Sequence, residues 1–313
     1  MHVYLLRRIL ATIPVMVVVA LFVFALLHFS PGDPAAVIAG DYASPADIER
    51  IRHQLGLDAP IHTQLGIWLW NVARGDLGTS IFSGLPVTQL IGQRLEPTLA
   101  LTVTTMVIAV VLAVPMGVVA SWTAGTWIDR LVMVFAVLGF SLPVFWLGFL
   151  FIFGFSLKLG LLPVQGYVSF REGLLPCLQH LILPSFTLGI VYMALIARMT
   201  RASMLEVLRE DYIRTAHAKG LRPYTVLLWH ALKNAALPIV TIIGVGVALL
   251  IGGVVVTESV FAIPGLGRLT VDAILHRDYP VIQGIILVFS AVYVLINLLV
   301  DMLYTFLDPR IRY

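Results

Sequence analysis

Residues 211–223, DYIRTAHAKGLRP, concentrate charge in a sequence of 313 residues that is 59% hydrophobic and only 12% charged. The basic side chains of this segment are Arg214, Lys219 and Arg222. Such side chains bind carboxylates on partner proteins or phosphates of lipid headgroups. The segment is therefore the first candidate for a functional site, and the chemistry that it offers is recognition.

The apolar spacing around this segment predicts a helix over residues 202–219. Apolar side chains recur there at intervals of three and four residues, at Leu205, Leu208, Tyr212 and Ala216. Gly220 can then adopt the positive φ that often ends a helix. Pro223 can begin a second helix, because the first helical position needs no N–H donor. The predicted helix–corner–helix is either a basic hairpin resting on lipid headgroups or a rigid knob that docks into a partner protein.

No catalytic constellation accompanies this segment. A phosphate-binding P-loop needs a Gly-Lys pair, and none of Lys158, Lys219 and Lys233 follows a glycine. The sequence has no HExxH, its eight histidines are scattered, and Cys177 is its single cysteine. We therefore predict no catalytic residues, no metal site, no internal disulfide and no ATPase site of the chain's own.

Two carboxylates, Glu258 and Asp301, lie close to long apolar stretches. Charged residues in the middle of a membrane span typically mark an ion or proton path. Both lie near the ends of their stretches, which favours carboxylates that bond to neighbours at the membrane interface. A gradient-driven secondary transporter or channel stays open as an alternative function, and an intramembrane enzyme is a third.

The elements that position these residues are long apolar segments. The mean hydropathy is +0.97. Six stretches lack any Asp, Glu, Lys or Arg: residues 9–32, 97–128, 131–157, 173–197, 234–257 and 279–300. About 20 apolar residues cross a bilayer core as a helix, because the backbone must satisfy its own hydrogen bonds there. The sequence predicts an all-α polytopic membrane protein with six transmembrane helices.

The distribution of basic residues predicts the orientation of these spans. With the N-terminus inside, twelve Lys and Arg residues lie on the inner side and eight on the outer side. Basic residues near span ends favour the cytoplasmic side, so both termini are expected in the cytoplasm. The net charge of +3 then reflects membrane topology rather than binding to nucleic acid.

The charged segment, together with HALKNAALPIVT, resembles the cytoplasmic coupling loop of binding-protein-dependent ABC importers, and is most similar to permease subunits of the dipeptide/oligopeptide and nickel type. Further stretches agree in order along the chain: LLHFSPGDP at 26–34, RLEPTLALT at 94–102, SLPVFWLG at 141–148, the stretch 258–284 and LLVDMLYTFLDPRIRY at 298–313. His217 departs from this pattern, which usually has arginine there, and a histidine can be neutral at pH 7.

The resemblance implies a type I ABC importer permease fold in the inner membrane of a bacterium. The implied function is translocation of peptides or a related small solute. Dipeptides, oligopeptides, a nickel chelate and a glutathione-like solute all remain open as substrates. The implied partners are a second homologous permease subunit, two cytoplasmic ATPase subunits, an extracytoplasmic solute-binding protein and membrane lipid. Neither a cofactor nor nucleic acid is implied.

The resemblance also divides the chain and assigns coupling residues. It implies an N-terminal transmembrane helix at 1–30, an extracytoplasmic loop at 31–93, a permease domain at 94–307 and a cytoplasmic tail at 308–313. The permease domain is expected to contain spans near 98–121, 131–157, 181–198, 236–257 and 282–304, with the coupling loop at 199–235. Residues expected to contact the ATPase are Glu206, Tyr212, Arg214, Ala216, Ala218, Lys219, Gly220 and Leu221.

Glycines and prolines near the predicted span ends have two interpretations. They form turns and close helix contacts, or they belong to the translocation pathway and its gate, as the resemblance implies. The candidates for pathway or gating are Ser141, Pro143, Trp146, Gly244, Gly252, Pro264, Gly265 and Gly267.

Overall fold

The structure, a computed structural model, describes residues 2–29, 35–36, 44–54 and 57–307. The described chain is mostly helical, as the sequence predicts. The helices used below are α1 His2–Phe29, α2 Pro45–Gln54, α3 Ile61–Ala73, α4 Val87–Trp122, α5 Trp127–Ser141, α6 Val144–Phe151, α7 Leu174–Val207, α8 Asp211–Ala218, α9 Pro223–Thr225, α10 Leu232–Val260, α11 Leu266–Leu275 and α12 Tyr279–Leu307. Two π-helical turns, Ile152–Lys158 and Val226–Ala231, continue α6 and join α9 to α10.

Four helical segments of the described chain are long and apolar enough to cross a membrane unbroken. They are Val87–Trp122, Leu174–Val207, Pro223–Leu250 and Tyr279–Leu303. A fifth candidate is the bent pair formed by α5 and α6, and α1 contributes a shorter apolar stretch, Leu10–Leu26. The structure therefore gives four or five spans by length, where the sequence predicts six. Three sets of residues lie outside the described ones: the predicted tail 308–313, residues 31–34, 37–43 and 55–56 of the predicted loop, and residues 1 and 30 of the predicted N-terminal helix.

The segment of the span predicted near residues 131–157 is not a single straight helix. Helix α5 ends at Ser141, and the chain bends by 104° before it continues through α6. Pro143 explains the bend, because a proline disfavours the helical conformation of the residue before it. That residue, Leu142, is extended, with φ −87° and ψ 133°.

The prediction of one helix over residues 202–219 is also wrong, because α7 ends at Val207 and α8 begins at Asp211. Between them Glu210 is extended, with φ −68° and ψ 146°. The break allows Ile213 of α8 to join the same buried cluster as Met204 of α7. Burial of apolar side chains thus overrides the local helical periodicity.

The chain divides into two compact units. Within the described residues, the first unit is drawn from 97–267 and 295–307, and the second from 2–96 and 268–294. In the first unit α7 is central and packs against α5, α6 and α10. Its side chains Leu188, Met193 and Ile196 are buried in one cluster with Leu101 of α4 and Leu250 of α10.

In the second unit, a smaller cluster joins α1, α3 and the first turns of α12. Ala20, Val23 and Leu287 are its buried members. Gln283 of α12 reinforces it by donating a hydrogen bond to the carbonyl oxygen of Val23 at 3.1 Å.

Candidate functional site

The corner of the charged segment is a Schellman motif at the end of α8. The N–H of Gly220 donates to the carbonyl of His217 at 2.9 Å, and that of Leu221 donates to the carbonyl of Ala216 at 3.3 Å. This pair of bonds satisfies carbonyls that the end of a helix leaves open. Gly220 has φ +75°, a conformation that is unfavourable for residues with a Cβ. The sequence-based interpretation of Gly220 is confirmed.

The second arm of the corner begins where the sequence predicts. Arg222 is extended and Pro223 occupies the first turn of α9. The N–H of Val226 donates to the carbonyl of Arg222 at 3.1 Å, so the helical path starts at once after the corner. It then runs through the π-helical turn into α10 without interruption.

The inner face of α8 is fixed by apolar burial. Ile213 is 2% exposed and Ala216 is 7% exposed. Both belong to a cluster that includes Met204 of α7, Val226 of the π-helical turn and Ala235 of α10. The corner is thus packed onto the two helices that it connects, and it has the rigidity that a docking element needs.

The outer face of the segment combines aromatic, apolar and basic side chains. Tyr212, Leu221 and Tyr224 are 42%, 38% and 57% exposed, and Lys219 is also exposed. Partial burial and the neighbouring carboxylate of Glu210 raise the pKa of the Tyr212 phenol, so it keeps its proton at neutral pH and can donate a hydrogen bond. Tyrosine and arginine are enriched where proteins dock, whereas simple lipid adhesion needs only charge.

The only ion pair described within α8 itself contributes little to its stability. Arg214 Nη1 lies 3.2 Å from Asp211 Oδ1, and both side chains are largely exposed. Exposed pairs of this kind are typically worth about 0–1 kcal/mol. The guanidinium is therefore available to an external carboxylate.

The structure brings together most of the predicted coupling residues. On α8 and its corner, the exposed ones are Tyr212, Arg214, Ala218, Lys219, Gly220 and Leu221. Glu206 is also exposed but lies in the last turn of α7, before the break. Ala216 is buried in the chain's own cluster, so its contacts are internal.

The turn FAIPGLG, which follows α10, folds over a buried carboxylate. Glu258 is fully buried, and the Thr98 hydroxyl donates to its Oε1 at 2.6 Å. The N–H of Leu266 donates in turn to Thr98 Oγ1 at 2.8 Å. The expectation that Glu258 bonds to its neighbours is thereby confirmed.

Two of the predicted gating glycines are required by packing around Glu258. A Cβ on Gly265 would overlap the Glu258 carboxylate, and a Cβ on Gly267 would come within 2.6 Å of the Val255 Cα. Pro264, which lies between α10 and α11, is exposed. The turn and the carboxylate therefore form one interlocked unit.

The remaining pathway candidates are spread over two places. Ser141, Pro143 and Trp146 are exposed at the α5–α6 bend, where the Ser141 hydroxyl donates to the Val137 carbonyl at 2.8 Å. On α10, Gly244 is packed tightly against Val300 of α12. Gly252 is exposed, and in the part of the chain that the structure describes no atom lies within 4 Å of the position that a Cβ would take.

Two buried aspartates in the structure were not singled out from the sequence. Asp129 accepts two hydrogen bonds from Arg201, the Nη2–Oδ2 one at 2.7 Å, and a third from the Gly125 N–H at 3.0 Å. It joins the first turn of α5 to α7. Its position next to a long charge-free stretch is the signal that could have identified it.

Asp278 plays a comparable role in the second unit. Its carboxylate accepts the Ser80 hydroxyl and the N–H groups of Ile81 at 3.1 Å and Phe82 at 3.4 Å. The Phe82 ring also lies 4.2 Å, centroid to centroid, from the His276 ring. The loop before α4 is thereby held to the end of α11.

Two family profiles match the chain. "Binding-protein-dependent transport system inner membrane component" matches residues 113–313, and the corresponding N-terminal family, "Binding-prot-dependent transport system membrane comp, N-term", matches residues 1–102. Together they cover most of the sequence.

Full-length relatives agree with these profiles. The "Probable peptide ABC transporter permease protein y4tP" of Sinorhizobium fredii is 53% identical over 100% of both chains. The "Glutathione transport system permease protein GsiC" of Escherichia coli O6:H1 is 48% identical, and the "Dipeptide transport system permease protein DppB" of Alkalihalophilus pseudofirmus is 42% identical; each alignment covers 99% of both chains.

A solved structure shares the fold. A chain of the MetNI methionine ABC transporter, in a crystal form described as inward facing, matches with a TM-score of 0.59 and 20% identity, over 70% of this chain and 97% of that one. Three observations agree: this fold, the helix–corner–helix around Gly220, and the profile match over residues 113–313. The chain therefore belongs to the family of inner membrane components of binding-protein-dependent transport systems.

Proposed function

We propose that this chain is the permease subunit of an ATP-driven ABC importer that carries peptides across the bacterial inner membrane. The observation that carries the proposal is the helix–corner–helix around Gly220. Its base is buried on α7 and α10, and its outer face offers Tyr212, Leu221 and basic side chains. A rigid element of this kind can transmit motion from a partner, whereas a flexible loop cannot.

ATP hydrolysis in this proposal belongs to partner subunits. The chain has no Gly-Lys pair with which to build a phosphate-binding loop. The proposed assembly contains this chain, a second homologous permease, two cytoplasmic ATPase subunits and an extracytoplasmic solute-binding protein. The proposed contact with an ATPase subunit is formed by the exposed residues Glu206, Tyr212, Arg214, Ala218, Lys219, Gly220 and Leu221.

The proposed topology has six spans with both termini in the cytoplasm. In it, α1 crosses the membrane, and α5 and α6 together form one bent crossing. This topology places the corner at Gly220 on the cytoplasmic side and the FAIPGLG turn on the opposite side. The excess of basic residues on the side of the corner supports it.

Peptides are the proposed substrate class because the relatives that match over their full length are named for peptide, glutathione and dipeptide transport. Glutathione is itself a tripeptide. The proposed pathway residues are Ser141, Pro143, Trp146, Gly244, Gly252, Pro264, Gly265 and Gly267. Of the four glycines among them, Gly252 has the most open surroundings.

Reconstitution tests the proposal. The chain is co-expressed with a homologous permease and ATPase subunits from the same bacterium, and proteoliposomes are loaded with ATP or with a non-hydrolysable analogue. We expect uptake of a radiolabelled dipeptide or of glutathione only with ATP and the binding protein. Uptake that depends on an ion gradient and is independent of ATP would instead establish a secondary transporter. Failure of the ATPase subunits to co-purify would refute the proposed assembly.

A further inference from the structure

Helix α3 has two apolar faces on opposite sides. One face packs on the protein: Trp68, Leu69 and Val72 lie against the cluster of Ala20, Val23 and Leu287. Within this contact the Trp68 and Phe24 rings are 5.7 Å apart, centroid to centroid. The helix is thereby attached to the sides of α1 and α12.

The level of this attachment lies well inside the ends of both helices. Val23 precedes the last residue of α1 by six positions, and Leu287 follows the first residue of α12 by eight. At about 1.5 Å per residue, these positions are roughly 9 and 12 Å from the helix ends. The two helices have 28 and 29 residues, or roughly 42 and 44 Å, which exceeds the hydrocarbon thickness of about 30 Å. Their ends therefore reach into the headgroup region, and the attachment lies near the boundary between headgroups and acyl chains.

The other face of α3 carries large exposed apolar side chains. Ile67 is 57% exposed and Trp70 is 59% exposed. The Arg74 guanidinium lies 4.4 Å above the Trp70 ring, and residues 59–73 contain neither Asp nor Glu. Tryptophan is enriched at membrane interfaces, and arginine there keeps its head among phosphates while its stem stays in apolar surroundings.

We propose that α3 lies in the membrane interface and binds phospholipid through Ile67, Trp70 and Arg74. In this arrangement Ile67 and Trp70 enter the acyl-chain boundary. Arg74, held by Trp70, binds the phosphate of a headgroup. The leaflet is the one in which α1 ends and α12 begins. Asp58, an exposed carboxylate in the turn before α3, faces water.

Spin-label accessibility tests the proposal on the full-length chain in phosphatidylethanolamine/phosphatidylglycerol vesicles. Cys177, the native cysteine, is buried, so nitroxides can be attached at Ile67→Cys and Trp70→Cys, with Asp58→Cys as the control in water. We expect nitroxides at 67 and 70 to be several-fold more accessible to oxygen than to a water-soluble nickel chelate, and the reverse ratio at 58. Nickel accessibility at 67 and 70 equal to that at 58 would overturn the proposal, because this face would then be in water. Protection from both reagents would also overturn it, because protein would then cover the face.

The role of Arg74 has a separate readout. With the label at Ile67→Cys, the additional change Arg74→Gln should shift the ratio of oxygen to nickel accessibility, because the phosphate contact that sets the depth of the helix is removed. The Arg50→Gln change in α2 is the control and should leave the ratio unchanged. Identical ratios for Arg74→Gln and the parent would remove the phosphate contact from the proposal. None of these measurements depends on transport activity.

Discussion

Arg201 of α7 binds both carboxylate oxygens of Asp129 at the start of α5, and the two partners are unequally buried. The Asp129 side chain is 5% exposed, whereas that of Arg201 is 26% exposed. A charge that loses its partner is costly in proportion to its burial. The pair is therefore asymmetric. If Asp129 is removed, the Arg201 guanidinium can turn to solvent. If Arg201 is removed, the Asp129 carboxylate stays buried.

The asymmetry predicts unequal effects of two substitutions on thermal stability. Arg201→Gln leaves a buried carboxylate with one fewer partner and should destabilise the protein by up to about 3–5 kcal/mol. Asp129→Asn should cost less. Arg198→Gln, at an exposed position one turn earlier, is the matched control and should have almost no effect. Melting temperatures in detergent check this order, and equal values for Arg201→Gln and Arg198→Gln would contradict it.

Gly220→Val should uncouple ATP hydrolysis from the loaded binding protein while the chain still inserts normally. Among the described residues no atom lies within 4 Å of the added Cβ, so the strain comes from the backbone, at about 1–2 kcal/mol or more for a β-branched residue in this conformation. Gly220→Asn, which tolerates positive φ, should retain most of the coupling. Binding-protein-stimulated ATPase activity in reconstituted membranes is the measurement.

Two controls distinguish the corner from general strain and from lipid adhesion. Gly84→Val introduces the same residue at φ +69° in an equally open site and should preserve coupling. Replacing Arg209, Arg214, Lys219 and Arg222 together by Gln would abolish function most strongly if the segment only adhered to headgroups. A Gly220→Val complex with normal coupling would count against the docking role.

Gly265→Ala should strongly reduce the amount of folded protein. Its Cβ would occupy the space of the Glu258 carboxylate, which would have to leave its bond with Thr98. Overpacking of this kind typically costs about 1–3 kcal/mol. Gly252→Ala, on exposed α10 surface, should be tolerated. The measurements are the yield of monodisperse protein and its melting temperature. Equal yields and melting temperatures for Gly265→Ala and Gly252→Ala would refute the interlocked arrangement.

Asp278→Ala should release the loop before α4. The N–H groups of Ile81 and Phe82 lose their acceptor, so their hydrogen exchange should accelerate at least tenfold if each bond contributes about 1.4 kcal/mol or more to protection. Asp76→Ala removes only the acceptor of the Gly78 N–H and should leave Ile81 and Phe82 unchanged. Exchange followed by mass spectrometry tests this, and unchanged protection at Ile81 in Asp278→Ala would argue against the role.

The features that were predictable from the sequence are those encoded locally. The apolar segments follow from their length, and the corner follows from the spacing of Gly220 and Pro223. The break at 208–210 has no local signal, because it results from burial of Ile213 with Met204. The bonds of Glu258 with Thr98 and of Asp278 with Ser80 join residues 160 and 198 positions apart. Periodicity carries no information on such pairs.

The unbroken helical path from Pro223 to Val260 gives the corner mechanical leverage. Its 38 residues, counted from 223 to 260, correspond to a rod of roughly 57 Å at about 1.5 Å per residue. One end lies at the Schellman corner, and the other carries Glu258 and the turn locked over it. A tilt of about 5° around the corner would displace the far end by roughly 5 Å along a rod of this length. The π-helical turn and Pro238 lie near the corner end, so bending there would change the direction of the rod while leaving the long outer part straight.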